Sequence, residues 1–240
     1  MAPEHLGARS AFRLWRLSSP PPAATAAGRY LAAYTDLHTA FARVTGADVV
    51  IDSSKSTADA ALLSIRPDLE TYVVQILRDP RGVAFSLQNH PSEKTRLGPH
   101  LLAVRAAIRW VIKHITNEAI RRRYGPDRSI VLRYEDLVDD PRSTVEAVAK
   151  LVGQPSPVVD MTPGVPIPVP EVHGPDGSKR LRFVTNEVVV QLDTRWQREL
   201  HPVDRFLVTL LTYPLLRRYG YPVRTSRPQD PPVRAAAPER

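Results

Sequence analysis

Three short apolar runs, each stopping abruptly at charged or hydroxyl-bearing residues, constrain this chain more than any other feature. Asp48-Val49-Val50-Ile51 opens into Asp52-Ser53-Ser54-Lys55, Tyr72 to Leu77 breaks at Arg78-Asp79-Pro80, and Ser129 to Arg133 leads into Tyr134-Glu135-Asp136. Runs of this length, rich in β-branched residues and bounded by turn formers, read as buried strands. Helical spacing fills the intervals. Leu31, Tyr34, Leu37, Phe41 and Val44 stop at Gly46, Thr57 to Ile65 ends at Arg66-Pro67, and a short helix starts near Pro80 and passes through Val83, Phe85 and Ser86. Leu101, Val104, Ile108, Val111, Ile115 and Ala119 mark a long helix ending in Arg121-Arg122-Arg123 before Gly125. Another helix spans about Arg142 to Val152, and Trp196, Leu200, Val203, Leu207, Leu210 and Leu211 mark a last one. A basic last turn and a glycine just past the end both suit a helix C-terminus. Strands joined through helices form right-handed βαβ units, so the expected fold is α/β, a parallel sheet flanked by helices on both faces.

Proline divides the chain. Residues 1–24 end in Ser18-Ser19-Pro20-Pro21-Pro22, residues 153–175 hold seven Pro, and residues 222–240 hold five. By composition the first and last are expected to be disordered tails and the middle one a loop inside an ordered domain spanning 25–221. With 240 residues, 42% apolar and 24% charged, the chain is long enough for one domain with a sizeable core. The absence of Cys excludes disulfide scaffolds, thiolate zinc sites and cysteine nucleophiles. The longest nearly apolar run, Phe206 to Leu216, is far short of the roughly 20 residues that cross a bilayer, so no membrane span is expected. Glu4, His5, Arg9, Arg13 and Arg16 interrupt the stretch where an export signal would carry its apolar centre, which makes the cytoplasm the expected location. A net charge of +8 favours anionic partners without choosing among nucleic acid, nucleotide and membrane surface.

In parallel α/β sheets ligands bind at the carboxyl ends of strands, which directs attention to Asp52 to Lys55, Arg78 to Ser86 and Tyr134 to Asp136. Each admits two readings. The Arg78 guanidinium and the Ser86 hydroxyl, eight residues on, would converge on one phosphate beside a helix N-terminus; alternatively Arg78 pairs with Asp79 or Asp52 and Ser86 is solvated. Lys55 would place its ammonium on a transferring group, or sit in a loop where Asp-Ser-Ser caps the next helix. Tyr134 would face a ligand with its ring, or simply end a strand.

As a set, Val49 to Lys55, Leu77 to Ser86, and Leu132 to Leu137 with Asp140-Pro141-Arg142 resemble the sulfotransferase family in order and spacing. The resemblance implies a P-loop nucleotide-kinase-like three-layer sandwich and transfer of a sulfuryl group from 3′-phosphoadenosine-5′-phosphosulfate (PAPS) to a hydroxyl or amine. It implies that Arg78 and Ser86 hold the donor's 3′-phosphate, that Tyr134 lies near the adenosine, and that Lys55 contacts the sulfuryl or its bridging oxygen. The stretch His173 to Phe183 is similar to the family's basic closing loop, which brings in Lys179, Arg180 and Arg182 as donor-binding residues. Asp193, Trp196 and Tyr219-Gly220-Tyr221 resemble the tails of bacterial members, so the likeness spans roughly 28–221.

One family feature has no counterpart. Members begin with a strand and a glycine-containing loop that cradles the 5′-phosphosulfate, whereas the first 27 residues here hold one glycine, Gly7, with no apolar strand before it. The expectation is therefore a sheet missing its first strand, in an amino-terminally truncated enzyme or a catalytically silent member. Sulfuryl transfer is an in-line displacement in which the protein supplies alignment, charge stabilisation and a base, so no metal is expected. Lys55 is expected to stabilise the bridging oxygen. Where many members carry a histidine three residues after this lysine, the chain has Ala58, which leaves Asp52 or His173 as the base. A small-molecule, carbohydrate or lipid acceptor is expected. The competing classes are a silent module for adenosine bisphosphate or a protein, a nucleic-acid-binding protein suggested by Arg121-Arg122-Arg123, and a P-loop kinase. For the arginine triplet a favourable helix end is the preferred reading, and no nucleic-acid partner is expected.

Overall fold

Val73–Leu77 (β1) and Ser129–Arg133 (β2) pair in parallel, in register from Val73 opposite Ser129 to Leu77 opposite Arg133. The computed structural model describes residues 19–54, 56–66, 68–90, 98–156, 162, 166–168, 187–189 and 191–224. Before β1 come α1 (Ala26–Thr45) and α2 (Thr57–Leu63); between the strands lie α3 (Pro80–Gln88), α4 (Pro99–Tyr124) and a 3₁₀ turn (Pro126–Arg128). After β2 follow α5 (Tyr134–Asp139), α6 (Pro141–Leu151), β3 (Pro166–Pro168), β4 (Glu187–Val189), α7 (Trp196–Glu199) and α8 (Pro202–Arg218). The described residues fall into two compact units, one from Met1–Leu77 and Ile112–Leu192, the other from Arg78–Val111 and Asp193–Arg240. Among the described residues no helix is long and apolar enough to cross a membrane.

The first unit holds the mixed α/β arrangement that the sequence predicts, a parallel pair of strands with helices around it. Thr25 caps α1 by accepting the Gly28 N–H at 3.0 Å, and Gly46, at φ 66°, ends it in the left-handed conformation that glycine adopts without strain. Gly28 is fixed by space: a Cβ there would lie 2.1 Å from the Pro22 carbonyl oxygen, so the proline-rich lead turns directly onto the helix. Ala61, Ile120 and Tyr124 form a core with Ala60 and Val73, and the Tyr124 hydroxyl donates to the Ala60 carbonyl at 2.7 Å. On β1, Gln75 and Leu77 are buried while Val74 and Ile76 are 38% and 54% exposed. Within the proline-rich stretch, Pro166–Pro168 pairs antiparallel with Glu187–Val189; a two-stranded ribbon is all edge, where proline is tolerated.

The second unit packs α3, the Pro99–Val111 part of α4, α7 and α8. One of its core clusters is made of small residues, Ala84, Ala103, Ala106 and Ala107 around Val208, which lets helix backbones approach closely, and another packs Phe85, Trp196 and Leu200. Arg81, 1% exposed, is the largest fully buried side chain described. Its Nε and Nη2 donate to the two Asp79 carboxylate oxygens at 2.9 and 2.6 Å, its Nη1 and Nη2 reach the Val223 and Pro222 carbonyls at 3.3 and 2.9 Å, and its guanidinium lies 4.7 Å from the Trp196 ring centre. Asp79 also caps α3 by accepting the Arg81 N–H at 2.9 Å.

Several expectations need correction. Asp48–Ile51 forms no strand: a ladder requires a partner, none pairs with this run among the described residues, and Val49 and Ile51 are 38% and 86% exposed. Tyr134-Glu135-Asp136 is the first turn of a helix, where the two carboxylates suit the positive end of its dipole. The last helical stretch is two helices, because Pro202 cannot donate across the junction and instead starts α8. On α8 the buried stripe is Asp204, Val208, Thr212 and Leu216, whereas Val203, Leu210 and Leu211 are exposed. The same inversion occurs on α4, where Leu101, Ile108 and Ile115 are exposed and Ala103, Ala107, His114 and Glu118 are buried.

The buried polar groups make the stability of both units testable. Arg81→Ala leaves the Asp79 carboxylate buried without its cation, so stability falls by about 3–5 kcal/mol in chemical denaturation; a loss under about 1 kcal/mol contradicts the anchoring role. In the first unit, the Gln75 side-chain amide donates to His114 Nδ1 at 3.2 Å, and burial, helped by Lys113, pushes the His114 imidazole down to about 4. The folded state thus excludes a proton that the unfolded chain binds below about pH 6.5. Stability is full above that pH and declines as pH falls toward 4, by on the order of 3 kcal/mol. His114→Leu flattens this slope in urea titrations at stepped pH; an unchanged slope assigns it to other groups.

Candidate functional site

Arg78 is the first residue after β1. The Trp110 indole N–H donates to its carbonyl at 3.1 Å, which fixes the backbone where the strand ends. With Asp79 taken by Arg81, the Arg78 side chain extends elsewhere: an ideal Cβ on Gly82 would stand 3.4 Å from Arg78 Nε, so the guanidinium stem lies over the first turn of α3. Gly82, lacking a Cβ, leaves room for the Arg78 stem, and Ser86 follows Gly82 one turn on along the same helix face. Ser86 is exposed on the second turn. Arg78 Nη2 stands 3.7 Å from Asp193 Oδ2, a carboxylate that Arg195 already holds with two bonds at 2.9 and 3.0 Å. Those bonds lead, ahead of the more distant Arg78 charge, in holding the Asp193 carboxyl below its ordinary range. The second unit therefore offers a half-buried guanidinium, a helix N-terminus and an exposed hydroxyl on one surface of α3. Three hydrogen-bonding groups in that order suit an oxyanion with several acceptor oxygens.

The predicted residues of the first unit sit in separate surroundings. Asp52 Oδ1 accepts the Ser54 N–H at 2.6 Å and its Oδ2 lies 3.4 Å from His38 Nε2, so both oxygens hold the turn against α1. His38 in turn donates from Nδ1 to the Tyr34 carbonyl at 2.8 Å and stacks on the Tyr34 ring at 4.3 Å. On the same helix face the Tyr30 hydroxyl donates to buried Asp59 at 3.1 Å; burial and then Asp59 push that phenol up to about 12. Tyr134 is the first residue of α5, and its hydroxyl donates to the Gln191 carbonyl at 3.3 Å. Lys55, His173, Lys179, Arg180 and Arg182 lie outside the described residues. The structure thus lays the Arg78 stem over Gly82, one turn from Ser86, and gives Asp52 and Tyr134 partners of their own.

Sequence reasoning misses two groups. Arg81 stands three residues past Arg78 in the same motif and reads from sequence as one more surface charge, yet it is the buried anchor beneath the site. Asp204 escapes because a carboxylate at a buried helix position runs against the apolar pattern; its own signal, an acidic residue in the first turn after Pro202, is weak. Among the described residues, no group of three or more His, Cys, Asp or Glu side chains is arranged to hold a metal ion.

A family model described as the sulfotransferase family matches residues 8–157, more than half of the chain. The chain belongs to the sulfotransferase family. The match begins upstream of the motifs that carry the sequence likeness and covers β1, α3, α4, β2, α5 and α6. No curated protein and no solved structure matches the chain.

Gly82 offers a test of this geometry. An added methyl would meet Trp196 Cδ1 at 3.2 Å as well as Arg78 Nε, and overpacking of this kind costs about 1–3 kcal/mol against a helix-propensity gain of up to about 1. Gly82→Ala is expected to lower stability by about 1 kcal/mol, read by chemical denaturation. A stabilised variant would mean that Trp196 moves aside freely.

Proposed function

We propose that this sulfotransferase-family chain transfers the sulfuryl group of PAPS to a hydroxyl or amine acceptor. Arg78 and Ser86 hold the donor's 3′-phosphate, and the observation that carries this reading is that the Arg78 stem lies over Gly82, one helical turn before the exposed Ser86. A guanidinium and a hydroxyl beside a helix N-terminus supply charge, directed donors and a favourable dipole to a dianion. Tyr134 contacts the adenosine, and Lys179, Arg180 and Arg182 close on the same phosphate. Lys55 stabilises the negative charge that develops on the bridging oxygen as the sulfur–oxygen bond breaks. Asp52 acts on Lys55 through the chain, since its Oδ1 holds the Ser54 N–H and so shapes the turn that precedes the lysine. The transferred group carries less charge than a phosphoryl, and these cations neutralise it without a metal.

Thermal unfolding with adenosine 3′,5′-bisphosphate and with 5′-AMP tests the donor site, because the two ligands differ only in the 3′-phosphate. At a concentration near 100 times Kd, the bisphosphate is expected to raise Tm by about 5–10 °C and 5′-AMP far less. Arg78→Ala and Ser86→Ala remove most of that difference. Equal shifts with both nucleotides, or a bisphosphate shift that survives both substitutions, would place the phosphate elsewhere.

A further inference from the structure

Residues 48–54 join α1 to the approach of α2 without regular structure, and the helices fix the two ends of this connection. Gly46 closes α1, Ser56 caps α2 by accepting the Asp59 N–H at 3.3 Å, and the Thr57 hydroxyl donates to Asn117 on α4 at 2.8 Å. The middle of the connection has little to hold it. Val49 and Ile51 enter no ladder, so the backbone groups there tie the segment to nothing else described. Among the described residues, one side-chain pair alone joins residues 48–54 to another element by a hydrogen bond or ion pair: Asp52 Oδ2 and His38 Nε2, 3.4 Å apart.

The His38 ring is oriented for that contact by its own helix. Its Nδ1 faces the Tyr34 carbonyl at 2.8 Å and the ring stacks on Tyr34 at 4.3 Å between centres. A carbonyl oxygen only accepts, so Nδ1 carries a proton, and an ionised carboxylate likewise only accepts. The ring therefore satisfies both neighbours only as an imidazolium; a neutral ring would turn its Nε2 lone pair toward Asp52 Oδ2. The other Asp52 oxygen accepts the Ser54 N–H at 2.6 Å, so a single carboxylate joins the helix to the turn that precedes Lys55. Among the described residues, the ionisable groups around the ring are Asp52 from the turn, Tyr34 and then Tyr30 from α1, and Asp59 from α2, which the Tyr30 hydroxyl engages at 3.1 Å. Tyr30, pushed up to about 12 by burial and then by Asp59, stays neutral at working pH, which leaves Asp52 and Asp59 as the acidic side chains there.

Resting on the reading of Lys55 as the group that stabilises the bridging oxygen, we infer that His38 is a positioning residue for sulfuryl transfer: as an imidazolium it holds the turn of residues 52–54 against α1, which sets where the chain delivers Lys55, and loss of its ring proton releases the turn. His38 exchanges that proton with solvent and takes no part in the bond changes at sulfur. Its side chain and that of Asp52 are 30% and 27% exposed, so the ring is open to protons and the pair adds little to global stability. Its effect falls on alignment, where a displacement of about 1 Å costs up to about 10² in rate. The proposed 3′-phosphate contacts, Arg78 and Ser86, belong to other segments, so binding of the bisphosphate does not depend on the turn.

Two readouts on the full chain test the inference. In proton–nitrogen correlation spectra the Ser54 N–H, bonded to Asp52 Oδ1, is expected to shift as rising pH takes the proton from the His38 ring, and to lose that response in His38→Gln. A Ser54 amide that titrates identically in the variant would overturn the tie between ring and turn. In turnover of PAPS with 2-naphthol as acceptor, wild-type kcat is expected to decline through the same titration. His38→Gln lowers kcat by about tenfold at the acid end and removes the decline, with the thermal shift by adenosine 3′,5′-bisphosphate unchanged. Because His38 acts through Asp52, the double variant with Asp52→Asn loses no more than the larger of the two single losses. Single losses that multiply, or a kcat within about twofold of wild type in His38→Gln, would sink the positioning role. Bisphosphate binding without PAPS turnover by the wild-type chain would also sink it while leaving the donor site standing. Absence of bisphosphate binding would remove the sulfuryl-transfer reading itself, and the positioning role with it.

Discussion

The second unit depends on one buried ion pair. Arg81 and Asp79 lock each other with two parallel hydrogen bonds, and each also serves the surrounding structure. Asp79 caps α3, while Arg81 holds the Pro222 and Val223 carbonyls and lies under the Trp196 ring. A buried guanidinium has five donors to satisfy, and this one draws its partners from segments distant in sequence. Because Asp79 is taken, Arg78 lies over Gly82 with its guanidinium near Asp193. Of the two arginines in one motif, one is buried as a strut, and the other is thereby directed along the helix surface.

The proposed phosphate contacts of this unit lie at the start of a helix and along it. Arg78 just before α3 and Ser86 on it are the proposed phosphate contacts, and Gln88 at its end donates to Asp204. The helix α4, which begins at Pro99, turns Leu101 and Ile108 outward. The alanines of the core permit this layout, because helices separated by small side chains need little apolar bulk between them and can present larger residues outward.

Much of the architecture was legible in the sequence because its signals are local. The β-branched run ending at Leu77, the glycine after α1 and the proline starting α3 each specify backbone geometry within a few residues, and β1, β2, α1, α3, α4 and α6 fall where those signals place them to within a few residues at either end. What the sequence concealed is non-local. Val49 to Ile51 has the composition of a strand but no partner among the described residues. On α4 and α8 the strongest apolar period faces outward, while the inward stripes carry His114, Glu118, Asp204 and Thr212; for His114, Asp204 and Thr212 burial is made tolerable by hydrogen bonds that no periodicity foretells. Arg78 and Ser86 were visible as a motif, whereas the buried roles of Arg81 and Asp204 required coordinates.

The parallel pairing of β1 and β2 also bears on how the chain reaches its fold. Val73 and Ser129 are opposite each other in the ladder, yet the whole of α3 and α4 lies between them in the chain, including residues assigned to the other unit. A pairing of that sequence separation carries a large loop-closure entropy, while helices rely on contacts within a few residues. The sheet therefore carries a closure cost that the local contacts of α3 and α4 do not, and that cost falls on the strand that carries the chain into Arg78.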